Sequence, residues 1–220
     1  MSTNPVLLWD FDGTLADTLP LWRAGILGVV TDRGGFIDEG TLRAALHSSS
    51  SGIVQILTRV LGTPIAGRDL LHDLWSRVQA QLQLAIPWQP GARRLLVEAQ
   101  SAQIRCGLVS NAPRILLETA LGSLSSNLFE CVVGSEDVTA AKPAPDPYLQ
   151  ALADLRVGPQ DAVAIEDSAT GVQAALAAGV PVVHVGDAPV NLPTVGEVTS
   201  LTAVTVAELI SFQRREARRS

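Results

Sequence analysis

Two aspartates separated by one residue follow the first apolar run of the chain. The segment PVLLWDFDGTLAD, at 5–17, places Asp10 and Asp12 directly after the run from Val6 to Trp9. A short uninterrupted apolar run is typical of a strand buried on both faces, as in a parallel sheet covered by helices. Asp10 is then expected at the carboxyl end of that strand, where ligands and catalytic groups of open α/β sheets collect.

The Asp-Gly pair in this segment also has a purely structural interpretation. Asp-Gly after an apolar run favours a hairpin turn, so the segment alone leaves both possibilities open. A calcium-binding loop is disfavoured, because such a loop needs glycine at its sixth position and glutamate at its twelfth. Here Gly13 is the fourth residue from Asp10 and Leu21 is the twelfth.

Three later apolar runs are also followed by polar residues that can do chemistry. Taken separately, these residues are explained as helix caps, a solvated lysine and turn acids. Parallel strands, however, bring all of their carboxyl ends to one edge of a sheet, so we expect the four groups to meet. The three pairs are Ser110-Asn111 after Ile104 to Val109, Lys142-Pro143 after Cys131 to Val133, and Glu166-Asp167 after Ala162 to Ile165.

The chemistry that needs such a set is phosphoryl transfer. A carboxylate can attack phosphorus and split a difficult hydrolysis into two easier steps. The transferred group spreads negative charge over its oxygens, and Lys142 and Ser110 can supply the positive charge and the donor that it requires. Lys142 is the single lysine among the 16 lysine and arginine residues, which favours a chemical role for it. Clustered carboxylates next to a phosphate also require a hard cation, for which Mg²⁺ is suited.

The elements that position these residues fall into two groups. From Thr18 to Pro87 the spacing is helical throughout, and this stretch is too long for a simple βα connection. From Gly91 onward apolar runs alternate with helical patterns, which predicts a mostly parallel sheet with helices on both faces. We therefore expect a Rossmann-like α/β core from residues 1–17 and 88–220, with an inserted all-helical subdomain at 18–87.

The composition limits the remaining possibilities. The chain has 220 residues, 47% hydrophobic and 17% charged, which is enough for one core and a small accessory domain. Its longest apolar runs are short and the N-terminus lacks the pattern of a secretory signal, so we expect a cytoplasmic protein without membrane contact. A net charge of −6 disfavours nucleic acid as a partner. We expect a small phosphorylated metabolite as the partner, and a monomer or weak homodimer.

The chain resembles the phosphoglycolate phosphatase and β-phosphoglucomutase branch of the haloacid dehalogenase superfamily. The resemblance covers essentially the whole length. It rests on four motifs in the family's order and spacing: DFDGT at 10–14, LVSN at 108–111, AKPAPDPY at 141–148 and EDSATGVQAALAAG at 166–179.

The resemblance implies a role for each matching residue. It makes Asp10 the nucleophile and Asp12 the general acid and base. It implies that the phosphoryl oxygens are bound by Ser110, Asn111 and Lys142. Magnesium would be bound by Asp10, the backbone carbonyl of Asp12, Asp167 and Glu166, the last directly or through water. Thr14 would support the loop after the first strand. The resemblance identifies the helical segment 18–87 as the family's cap. Within it, His47, Ser48 and Ser49 would belong to the loop that selects the substrate, although a plain polar turn explains them equally well.

The resemblance leaves three functional hypotheses. The leading one is a Mg²⁺-dependent phosphatase acting on a small phosphomonoester of the phosphoglycolate or sugar phosphate type. A phosphomutase is disfavoured, because Trp22 stands where the mutase has a cap histidine. A non-catalytic protein regulated by phosphorylation of Asp10 is disfavoured by Asp12 and by the large cap. Gly171 stands where some members carry a further aspartate, and we assign no role to His184 and Asp187.

Overall fold

The structure is a computed structural model that describes residues 5–62, 66–122, 128–187 and 189–216. The chain divides into two compact units. The first comprises Met1–Asp17, Trp88–Leu117 and Leu124–Ser220, and the second comprises Thr18–Pro87 and Glu118–Ser123. Within the described ranges, no helix is long and apolar enough to cross a membrane.

The first unit is built on a six-stranded sheet in which every neighbouring pair of strands is parallel. The strand order is β3-β2-β1-β4-β5-β6. This confirms the predicted Rossmann-like parallel sheet. The strands are β1 (Val6–Trp9), β2 (Cys106–Val109), β3 (Cys131–Val133), β4 (Ala162–Glu166), β5 (Val182–Val185) and β6 (Gly196–Val198).

No apolar run in the sequence predicts β6. This edge strand has three residues, with Glu197 exposed between two half-buried neighbours. It therefore lacks the continuous apolar run that marks the strands buried on both faces. Edge strands are commonly short and charged, because such edges resist pairing with other chains.

The second unit contains α1 (Leu19–Thr31), α2 (Glu39–Leu46), α3 (Ser50–Leu61) and α4 (Gly67–Leu84). The described residues of 18–87 form these helices and the loops that connect them, as the helical spacing of the sequence predicts. The Asp38 carboxylate caps α2 by accepting a hydrogen bond from the backbone N–H of Thr41 at 3.0 Å. Helix α4 packs against α1, and it buries an apolar stripe at helical spacing formed by Leu70, Leu74, Val78 and Leu82.

The remaining helices begin in the first unit. They are α5 (Ala92–Ser101), α6 (Arg114–Gly122, which continues into the second unit), α7 (Asp146–Leu155), α8 (Ala169–Ala177) and α9 (Val206–Glu216). Side chains of α7 and α8 join Val6, Leu8 and Ala164 in one buried cluster. Alternate residues of the strands point to the opposite face, and there α9 packs against β4, β5 and α5.

The first unit also contains a helix capping box and two buried thiols. The backbone N–H of Thr205 donates to Glu208 Oε2 at 2.8 Å, and the backbone N–H of Glu208 donates to Thr205 Oγ1 at 3.2 Å. These reciprocal bonds form a capping box at the start of α9. Cys106 and Cys131 are both buried free thiols.

Candidate active site

The carboxyl ends of three neighbouring strands meet at one edge of the first unit. Asp10 directly follows β1, Ser110 directly follows β2, and Glu166 is the last residue of β4. The backbone N–H of Asp10 donates to the carbonyl of Ile165, and that of Ser110 donates to the carbonyl of Val133. The side chains that follow these strands are thereby held at a common edge.

Lys142 is buried between two carboxylates at this edge. Its ammonium group donates to Asp10 Oδ1 at 2.7 Å, to Glu166 Oε1 at 2.5 Å and to the carbonyl oxygen of Val109 at 2.8 Å. Only 3% of the Lys142 side chain is exposed, so water and salt screen these ion pairs weakly. Burial alone lowers the pKa of Lys142, but the negative charges of Asp10 and Glu166 raise it above its ordinary value. Lys142 is therefore a charged ammonium group in the interior.

Three carboxyl groups form a cluster around this lysine. Asp10, Glu166 and Asp167 each offer one oxygen, and these three oxygens lie within 4.8 Å of one another. Burial, reinforced by the charge of Glu166, raises the pKa of Asp10 to about 7. Burial and the charge of Asp10 raise the pKa of Asp167 to about 7 as well. Burial also raises the pKa of Glu166 above its ordinary value, and Lys142 opposes this. The single ammonium of Lys142 therefore supplies too little positive charge for three ionised carboxylates.

The donor set of the cluster fits a hard divalent cation. Among the described residues, the buried side-chain atoms Asp10 Oδ2 and Glu166 Oε2 have no hydrogen-bond partner. When ionised, the three carboxylates and the ammonium of Lys142 carry a net charge of about −2, which one divalent cation neutralises. The side-chain atoms of this cluster that could bind a cation are all carboxylate oxygens. Oxygen is the ligand type that Mg²⁺ and Ca²⁺ prefer.

Ser110 and Asn111 bind two other predicted site residues. The Ser110 hydroxyl donates to Asp12 Oδ2 at 3.0 Å and accepts from the backbone N–H of Ala112 at 2.9 Å. The Asn111 amide donates to the Lys142 carbonyl at 3.2 Å and accepts from the Lys142 backbone N–H at 3.0 Å. Asn111 therefore fixes the backbone of the lysine loop, and its contact with a phosphate stays a prediction.

The turn after β1 approaches Asp167 closely. Gly13 has φ +89°, in the left-handed region that glycine adopts without strain. A Cβ atom at this position would overlap the carboxylate of Asp167. The next residue, Thr14, is buried and donates its hydroxyl to Asp167 Oδ1 at 3.3 Å. Glycine at 13 thus makes room for the carboxylate, and Thr14 holds it.

The sequence analysis assigns no role to two further residues that contact the cluster. Tyr148 is fully buried and donates its hydroxyl to Glu166 Oε1 at 2.5 Å. His184 is buried on β5, with Nε2 3.1 Å from the backbone carbonyl oxygen of Asp167. Because a carbonyl oxygen can only accept, this contact places the proton on Nε2. For Tyr148, the sequence offers two signals: it is the sole tyrosine of the chain, and it lies in the segment after Lys142.

The three predicted specificity residues lie in the second unit. His47 directly follows α2 and is exposed. Ser48 donates its hydroxyl to the carbonyl of Ala44 at 2.7 Å, and Ser49 caps α3 by accepting from the backbone N–H of Gly52 at 3.3 Å. The two serines therefore have local structural roles, and a part in substrate selection stays a prediction.

Comparisons with known proteins identify relatives of this chain. Residues 7–185 match the family model of haloacid dehalogenase-like hydrolases. Protein CbbY of Cereibacter sphaeroides is 31% identical over 184 residues, which cover 79% of this chain and 80% of CbbY. A phosphoglycolate phosphatase of Colwellia psychrerythraea is 28% identical over 191 residues, covering 82% of this chain and 83% of that enzyme.

Further matches include a much longer protein and a solved structure with a similar fold. The chloroplastic Protein SUPPRESSOR OF QUENCHING 1 of Arabidopsis thaliana is 29% identical over 178 residues, but this region is only 17% of that longer protein and 78% of this chain. Among solved structures, CbbY from Rhodobacter sphaeroides in complex with xylulose-(1,5)bisphosphate has a TM-score of 0.83. It is 26% identical, with 94% of this chain and 99% of that chain covered.

These matches agree with the fold and with the order of the four motifs. The family model spans most of the chain, from β1 to β5, and includes every strand end that contributes to the cluster. The predicted family is therefore confirmed, and so is the prediction that the chain is a hydrolase. The protein belongs to the haloacid dehalogenase-like hydrolases.

Proposed function

We propose that this protein is a Mg²⁺-dependent phosphatase that hydrolyses a small phosphomonoester through an aspartyl-phosphate intermediate on Asp10. The observation that carries the proposal is the buried ammonium of Lys142 between Asp10 and Glu166, with one oxygen of each carboxylate unpartnered among the described residues. Such a site holds a reactive carboxylate and positive charge side by side, which phosphoryl transfer requires.

Asp10 is the nucleophile of this mechanism. It is 6% exposed, and Lys142 engages only its Oδ1. A carboxylate oxygen of Asp10 forms a bond to phosphorus while the bond from phosphorus to the ester oxygen breaks. A water molecule then attacks the phosphorus of the acyl phosphate, which releases inorganic phosphate and restores the Asp10 carboxylate.

Asp12 serves these two steps as acid and then as base. In the first step its carboxyl proton passes to the departing ester oxygen, and in the second step the Asp12 carboxylate takes a proton from the attacking water. Asp12 is only partly buried, unlike Asp10, and its Oδ2 accepts a hydrogen bond from Ser110. Its position two residues after the nucleophile keeps it at the same strand end.

The charged groups around the nucleophile bind the phosphoryl oxygens and the cation. Lys142 and Ser110 would donate to the phosphoryl oxygens, with Asn111 near them. Asp10, Glu166, Asp167 and the backbone carbonyl of Asp12 would hold Mg²⁺. When bound, Mg²⁺ neutralises charge on the phosphoryl group during transfer.

The substrate class follows from the relatives and the site. One relative is named as a phosphoglycolate phosphatase, and CbbY was solved with a sugar bisphosphate. We propose a substrate of the phosphoglycolate or sugar phosphate type, selected in part by His47, Ser48 and Ser49. We further propose that the protein acts in the cytoplasm as a monomer or weak homodimer, on a small metabolite and on neither nucleic acid nor membranes.

The direct test is phosphate release from a panel of phosphorylated metabolites, with Mg²⁺ or with EDTA. A phosphatase transfers the phosphoryl group to water, whereas a mutase returns it to a sugar hydroxyl and releases little phosphate. A protein that only becomes phosphorylated on Asp10 would catalyse neither repeated hydrolysis nor transfer to a sugar. Release of phosphate that requires Mg²⁺ therefore separates the three hypotheses.

Asp10→Asn should abolish turnover while leaving the fold intact, because a neutral amide is not an attacking anion. We expect a loss of at least about a thousandfold in kcat. Steady-state phosphate release measures the loss, and circular dichroism checks the fold. Substantial remaining turnover in a folded Asp10→Asn variant would remove the covalent mechanism.

Asp12→Asn should be damaging in a way that depends on the leaving group. An alkoxide leaving group needs a proton, whereas a nitrophenolate needs far less assistance. The rate of the first step, measured as burst or single-turnover release of the alcohol, should therefore fall much more for an alkyl phosphate than for nitrophenyl phosphate. Equal losses on both substrates would contradict the role of Asp12 as the acid.

The carboxyl cluster predicts an unusual pH dependence for the metal-free protein. The pKa values of Asp10 and Asp167 rise from 3.8 to about 7 on folding, so the folded state holds protons that the unfolded state has lost. The free energy of unfolding should therefore fall, on the order of a few kcal/mol, as the pH rises from about 5 to 8. Mg²⁺ binds the ionised carboxylates, so it should raise the melting temperature more at pH 8 than at pH 5.5.

Thermal melts in EDTA and in Mg²⁺ at these two pH values measure the effect. Asp167→Asn is the matched control, because it removes one titrating group and one cation ligand. Its melting temperature in EDTA should depend less on pH, and Mg²⁺ should stabilise it less. A Mg²⁺ shift of the same size at both pH values would contradict the assignment of these carboxyls to a cation site.

A further inference from the structure

Tyr148 contacts two charged groups of the cluster, Glu166 and Lys142. It lies in the first turn of α7, and its side chain is completely buried. Its hydroxyl donates to Glu166 Oε1 at 2.5 Å, and its ring centroid lies 5.3 Å from Nζ of Lys142. The ring provides a cation-π contact for the ammonium, whereas the hydroxyl acts on the carboxylate.

Lys142 has no hydrogen left for a phosphoryl group in this structure. An ammonium group has three N–H donors. The three are engaged by Asp10 Oδ1, Glu166 Oε1 and the carbonyl oxygen of Val109. To donate to a phosphoryl oxygen, Lys142 must therefore release one of these acceptors.

The two carboxylates are not equivalent acceptors. In the described part of the chain, Lys142 is the only hydrogen-bond donor to the side chain of Asp10, so its release would leave a buried charged oxygen without a partner. Glu166 Oε1, in contrast, accepts from both Lys142 and Tyr148. If Lys142 releases Glu166, Oε1 of Glu166 stays hydrogen-bonded to Tyr148. The ammonium of Lys142 then exchanges one anionic partner, the carboxylate, for another, the phosphoryl group.

We propose that Tyr148 is a positioning residue that allows Lys142 to exchange Glu166 for the phosphoryl group. Its hydroxyl keeps Glu166 Oε1 hydrogen-bonded while Lys142 turns to the substrate, and Glu166 Oε2 remains available to the cation. This proposal rests on the phosphate-binding role of Lys142 proposed above. A phenylalanine at this position would fill the same space and keep the cation-π contact but would not support the exchange.

Tyr148→Phe tests this exchange because it removes the hydroxyl alone. Free enzyme keeps the bond from Lys142 to Glu166, so it tolerates the loss. The phosphate complex and the transition state lose the last donor to Oε1. We expect a fall in kcat/KM of roughly tenfold to a hundredfold, and a similar rise in the inhibition constant of inorganic phosphate. The Mg²⁺ dissociation constant without phosphate, measured by calorimetry, should change by less than about twofold.

A double-mutant cycle with Lys142→Ala provides the matched control. If Tyr148 acts through the lysine, Tyr148→Phe should have little further effect on phosphate affinity in the Lys142→Ala background. Full additivity of the two substitutions would overturn the proposal. Thermal melting of each variant shows whether it is folded, and phosphate binding by calorimetry remains measurable in variants that turn over slowly.

The other outcomes also decide the question. A weaker Mg²⁺ affinity with unchanged phosphate affinity at saturating Mg²⁺ would show that Tyr148 serves the cation ligand and would overturn the exchange. A lower melting temperature with unchanged kinetics would show a packing role only, and would overturn it equally. Failure of the wild-type protein to release or bind phosphate would instead refute the proposed function itself.

Discussion

The ion pairs between Lys142 and the carboxylates of Asp10 and Glu166 are the interaction on which the site depends. Removing charged groups from water is costly, and a buried pair is retained only when its geometry and further hydrogen bonds compensate. Here one ammonium faces three carboxyl groups, so the compensation is incomplete and the pKa values of Asp10 and Asp167 are raised. Replacing a buried ion pair by apolar residues of similar volume is often neutral or stabilising, so stability alone does not account for these charges.

The topology of the sheet explains why these groups meet. The strand order β3-β2-β1-β4-β5-β6 places β1 between β2 and β4, and the chain winds in opposite directions on either side of β1. Open α/β sheets bind ligands at such a switch point, outside the carboxyl ends of the strands. Asp10 lies at the end of the central strand, and Ser110 and Glu166 lie at the ends of its two neighbours. Lys142 and Asp10, 132 positions apart in the chain, are thereby brought within hydrogen-bonding distance.

Apolar runs and strand ends made much of this arrangement predictable from the sequence. Asp10 and Glu166 could be named because each stands at the carboxyl end of an apolar run, where parallel pairing brings them together. Lys142 could be named because it is the single lysine and lies in the loop after another such run. Tyr148 and His184 could not be given a role in this way, since they contact the cluster through the packing of α7 and the register of β5 against β4. No periodic pattern marks a buried residue whose hydroxyl or ring nitrogen has a distant partner.

Gly171 shows how the choice of one residue constrains another in the site. The sequence indicates only that a further aspartate of some family members is missing there. In the structure, a Cβ atom at this position would overlap the carboxylate of Glu166. Any side chain at 171 would therefore have to displace Glu166, and with it the hydrogen bonds from Lys142 and Tyr148 to Oε1. Glycine at 171 and glutamate at 166 are thus coupled by steric exclusion, because the carboxylate occupies the space that the glycine leaves.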